Sequence, residues 1–164
     1  MGDFKPWLKE ARIYFQASNV LIDAGYHSPA YFLATHAAEL GMKSLLINVG
    51  FTEKDVKGHD EIKLFEDIEN ASYPPDFIAS LDSLYLPSDL IPGTVPTADY
   101  MSHTDFASVG LVCEHKQSAN IKYIVKGTAP SEYISPDDAR KKIELCDKLL
   151  SLIENYFHIP RHIE

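Results

Sequence analysis

Cysteine is scarce in this sequence. Cys113 and Cys146 are the two in 164 residues, and neither belongs to a CxxC pair, so a disulfide framework is not expected. Long apolar runs are also missing. Nothing approaches the ~18 consecutive apolar residues of a membrane-spanning helix. Met1-Gly2-Asp3-Phe4-Lys5 lacks the apolar stretch that secretion needs, so the cytoplasm is the expected compartment. No GxGxxG, P-loop or GxSxG motif occurs, and no cofactor is expected. Positive charge is in deficit: 15 Lys and Arg against 24 Asp and Glu, a net charge of −9. Such a chain has no general pull on phosphate backbones. The densest basic cluster, Arg140-Lys141-Lys142, is three residues long and reads as the solvated face of a helix's first turns. Strong nonspecific nucleic-acid binding is therefore not expected. Cys113, Glu114 and His115 adjoin on one short segment and match no usual zinc spacing, so no metal site is expected either.

Apolar residues are plentiful. At 45% hydrophobic content, 164 residues suffice for one domain with a core. The apolar positions repeat at helical spacing. Leu8, Ala11, Phe15, Ser18 and Ile22 form one mostly apolar stripe, which predicts a helix over Pro6 to Ala24, ended by Gly25 in left-handed conformation. Ser28 as N-cap and Pro29 at the first position predict a second helix running to Val49. Its row Tyr31, Ala34, Ala38, Met42, Leu45, Val49 is joined by Phe32, Leu33, Leu46 and Ile47, so the helix is apolar nearly all round and should be central and buried. Shorter segments follow. Thr52 to Asp55 suggests a helical turn. Asp60 to Ala71 places Ile62, Phe65 and Ile68 inward, and Asp76 to Leu86 carries Phe77, Leu81, Leu84 and Tyr85. Residues 87–104, punctuated by Pro87, Pro92, Gly93 and Pro96, read as a loop. Residues 106–126 fit a helix, although Ile121 to Val125 is β-branched and argues against it. Ser135-Pro136-Asp137-Asp138 opens a last helix, and Ala139, Ile143, Cys146, Leu150, Ile153 and Phe157 form its apolar row. The expected fold is all-α, an antiparallel bundle of about five helices in one domain.

One polar stripe interrupts the second helix. His36, Glu39 and Lys43 fall within roughly 60° of one another at 100° per residue. Buried polar groups need partners. The stripe is either a structural network, with Glu39 pairing to Lys43 or to Arg12 of the first helix, or the wall of a pocket or groove that meets a ligand or partner. His59, after Gly58 at a helix start, reads mainly as a cap.

The segment Ala30 to Leu46 (AYFLATHAAELGMKSLL) resembles the core helix of the HEPN family: a small and aromatic run, a polar residue, Ala-Ala-Glu, then Lys one turn later. Ala24 to Ala30 is similar to the family's approach to that helix. Gly58-His59-Asp60 resembles its His-Asp step, and Tyr133 to Ile153 resembles its final helix. The resemblance spans residues 6–86 and 131–157 and implies a helical bundle that is usually a homodimer. Many members pair with a small nucleotidyltransferase as toxin–antitoxin systems, and others are ribonucleases carrying an Arg followed, after four to six residues, by a His. That motif is absent here. From Arg12 the interval reaches Ala17, Ser18 and Asn19; from Arg140 it reaches Leu145, Cys146 and Asp147; Arg161 lies too near the end. Many small members also carry an Arg in a Tyr-Ile-Pro-Thr-Arg-Tyr-Pro stretch. Asp89 stands at that position in Tyr85 to Pro92, and a carboxylate has the wrong charge to stabilise a phosphorane.

The expectation is therefore a non-catalytic HEPN-like binding or assembly module, a homodimer that pairs with a minimal nucleotidyltransferase or another protein. Two alternatives stand beside it: a divergent metal-independent ribonuclease using His36 or His103, and a nucleotide or small-molecule binder. Arg12, His36, Glu39, Lys43 and His59 are the candidate ligand- or partner-binding residues.

Overall fold

The computed structural model describes residues 2–58, 61–84 and 134–159, with the backbone alone at 61 and 62. Five helices lie there: α1 (Lys5–Asp23), α2 (His27–Asn48), α3 (Glu61–Glu69), α4 (Pro75–Asp82) and α5 (Pro136–Tyr156). Among the described residues there is no strand. The Pro-rich stretch 87–104, the segment 106–126, and the residues Cys113, Asp89, His103 and His59 lie outside them.

α2 is the centre. Sixteen of its 22 residues are buried, as its all-round apolar pattern requires. α1 and α5 pack on it and on each other, α3 packs on α2, and α4 on α5. The Gly2 N–H donates to Ile47 O at 3.2 Å, which sets the start of α1 beside the end of α2. α1 is therefore antiparallel to α2. α1 is also antiparallel to α5, because Phe4 stacks on Phe157 while Arg12 reaches Asp147. α5 in turn runs parallel to α2.

The turn between α1 and α2 needs a residue that tolerates positive φ. Gly25, at φ +83°, supplies it, and the Tyr26 N–H closes back to Leu21 O at 2.8 Å. α2 begins earlier than its sequence signals suggest. The N-cap is Tyr26, whose side chain makes no capping bond, and Ser28 lies buried within the first turn. Ala30 N–H already bonds to Tyr26 O, so Pro29 sits third in the helix, where its missing N–H is still an orphan position. α5 starts as its sequence predicts. Ser135 and Asp138 exchange side-chain-to-backbone bonds in a full capping box, with Pro136 and Asp137 in the first turn.

Close approach explains the small residues of α2. A Cβ on Gly41 would stand 2.8 Å from Leu150 Cδ2 and 3.3 Å from Ile153 Cδ1, so α5 seats directly on the α2 backbone there. The hydroxyls of Thr35 and Ser44 return to carbonyls of their own helix, at Tyr31 O and Gly41 O, and are satisfied within the core. At one end Tyr73 ties the connection before α4 to α2. Its O–H donates to Leu45 O at 2.7 Å and its ring packs on Phe77 and Tyr156. Burial pushes the phenol up to about 12.

Candidate functional site

Among the described residues two buried ion-pair clusters stand out. The first grows from the stripe on α2. Glu39 and Lys43, one helical turn apart, are both buried, and Lys43 Nζ donates to Glu39 Oε1. The same ammonium donates to Gly58 O at 2.6 Å, which ties the connection ahead of α3 to α2. On the other side of Glu39, His36 Nδ1 stands 3.5 Å from Oε2. The His36 side chain is 23% exposed. It lies edge-on to Tyr14 at 4.7 Å and parallel to Phe32 at 6.3 Å. Of the two pairings anticipated for Glu39, the structure thus contains the one with Lys43.

Arg12 goes elsewhere. Its Nε and Nη2 each donate to Glu154 at 2.6 Å, a bidentate fork. Nη1 donates to Asp147 Oδ1 at 2.8 Å and Nη2 also reaches Ser151 Oγ at 3.3 Å. Burial alone would lower the guanidinium's pKa, but the hydrogen bonds and charges of Glu154 and Asp147 outweigh it and raise it. The reason Arg12 misses Glu39 is geometric. On α1 it follows the Leu8 and Ala11 stripe at the edge that meets α5, and α5 presents Asp147, Ser151 and Glu154 at spacings of four and three residues along one face.

Lys142 corrects the reading of the basic cluster as wholly solvated. Arg140 and Lys141 are exposed, but Lys142 is fully buried, its ammonium 5.7 Å from the centre of the Tyr31 ring. It stands four residues before Cys146 and three after Ala139, within the apolar row of α5, and that register was the signal for its burial. Glu154 shares the signal, falling four residues after Leu150 and eleven after Ile143. The Cys146 thiol is buried and free, and burial pushes it up to about 12, so at neutral pH it is not a thiolate nucleophile. His59 lies outside the described residues. Among the described residues no three His, Cys, Asp or Glu side chains gather as metal ligands, and no helix is long and apolar enough to cross a membrane.

The HEPN domain family model matches residues 4–108, which is more than half of the chain. The chain belongs to the HEPN domain family. The match takes in α1 to α4, including Arg12, His36, Glu39 and Lys43, and stops short of α5. Thus the HEPN match covers one partner of the Arg12–Glu154 pair and not the other. The crystal structure of an archaeal HEPN homologue superposes with a TM-score of 0.53 at 19% identity, covering 95% of this chain and 98% of the other. The HEPN fold therefore extends through α5. No curated protein matches the chain.

Proposed function

We propose that this HEPN domain is a non-catalytic binding and assembly module that self-associates and pairs with a nucleotidyltransferase or another protein, as in a toxin–antitoxin couple. The observation that carries the reading is the commitment of Arg12 and Lys43, two buried cations among the described residues, to the fold. Cleavage of RNA by the ribose 2′-OH calls for a base and for a cation held against the developing phosphorane charge. Arg12 directs Nε, Nη1 and Nη2 at acceptors on α5. Lys43 is held between Glu39 and Gly58 O. Arg140 is exposed beside Asp137 at 3.7 Å, and no His follows it at the ribonuclease interval. Support for self-association comes from α1, where Ile13 and Val20, seven residues apart on one face, are 46% and 67% exposed, with Tyr26 exposed just beyond the helix end.

Purified protein should leave single-stranded and transfer RNA intact in metal-free and in magnesium buffer. Cleavage that follows the protein through two columns and vanishes in His36→Ala or His103→Ala would overturn the proposal in favour of a divergent ribonuclease. The nucleotide-binder alternative needs the α2 stripe as a pocket wall, and the burial of Glu39 and Lys43 weighs against it. Nucleotides should accordingly leave the melting temperature unchanged, since a ligand of the folded state alone must raise it.

A further inference from the structure

A groove of about 570 Å³ opens where the start of α1 meets the end of α5, within the size range of small-molecule sites. Its apolar part is built from Leu8 and from Phe4 and Phe157, whose rings stack at 4.0 Å. Two cations also line it: Lys5 and Lys9, one turn apart on α1 and exposed. Two carboxylates also line it. Glu154 is buried in the fork of Arg12, and Asp3 accepts the backbone N–H of Lys5 at 3.2 Å. Because Glu154 is matched by Arg12, the two lysines at the groove stand against one exposed carboxylate, Asp3.

His158 stands at the α5 end of the groove. It ends α5 at φ +55°, the one non-glycine residue with positive φ among the described residues. Ile159 N–H bonds to Glu154 O at 2.9 Å and His158 N–H to Asn155 O at 3.2 Å, the paired closure of a Schellman motif in which glycine is the usual occupant. Here an imidazole occupies that position and lines the groove.

We propose that this groove binds a small amphiphilic carboxylate, with its apolar body against Phe4, Leu8 and Phe157 and its head group facing Lys5 and Lys9. The test is a nitrogen-labelled sample of the full chain titrated by NMR with decanoate and, separately, with the uncharged decanol. Decanoate should bind about fivefold tighter than decanol, the effect of two partly solvated ion pairs of about 0.5 kcal/mol each. The largest shifts should fall on Phe4, Phe157 and His158. In the double variant Lys5→Glu/Lys9→Glu, whose changed side chains are exposed, decanol should still bind and the preference for decanoate should vanish. Equal affinities in the natural chain, a preference that survives in the double variant, or shifts centred away from these residues would each overturn the proposal.

Discussion

Replacing Glu154 by Ala should destabilise the bundle by about 3–5 kcal/mol, because it strands a buried guanidinium without the acceptor of two of its bonds. At roughly 2–4 °C per kcal/mol for a domain of this size, melting should fall by about 6–20 °C. Asp147 serves as the internal control. It also bonds to Arg12, but its side chain is 51% exposed, so Asp147→Ala should cost no more than about 1 kcal/mol. Because the penalty comes from the orphaned charge more than from the lost pair, Arg12→Met combined with Glu154→Leu should recover much of the loss. Thermal denaturation followed by circular dichroism decides the matter. A Glu154→Ala variant that melts no lower than Asp147→Ala would show that the fork contributes little.

The second large effect belongs to Glu39. Glu39→Ala leaves the buried Lys43 ammonium with Gly58 O as acceptor and without the Glu39 carboxylate, at a cost of about 3–5 kcal/mol. An exposed Glu–Lys pair at the same spacing adds only a few tenths of a kcal/mol, so the size of the effect separates a buried network from a solvated one. Urea denaturation should show a lower midpoint at unchanged slope. The damage should also spread locally, since Lys43 anchors the stretch before α3, and amides near Val56 should exchange faster than in the natural chain. A midpoint unmoved by Glu39→Ala would contradict the assignment of the stripe to the core.

These two clusters differ in how far they can be read from sequence. Glu39 and Lys43 lie on one helix at a spacing of four, so the local period alone brings them together. The Arg12–Glu154 fork joins residues 142 apart in sequence. Its register depends on how α5 seats against α1, which is decided by packing at sites such as Gly41 and Leu150, and no local pattern encodes that. Lys142 shows the opposite failure. Its position in the apolar row of α5 was visible, but its neighbours Arg140 and Lys141 made it look like part of a solvated run. The helices themselves were legible because their apolar rows are long and periodic. Ser28 and Pro29 form a strong capping signal two residues beyond the actual N-cap, Tyr26, which makes no side-chain capping bond.

Self-association of a domain whose buried Arg12 and Lys43 are engaged in its interior is tested most directly by mass in solution. Light scattering across micromolar concentrations should report a species of twice the mass of one chain. Val20→Glu, which places a charge on the exposed face of α1, should shift the population toward the single chain without lowering helical content. A single-chain mass at every concentration in the natural protein would contradict the account.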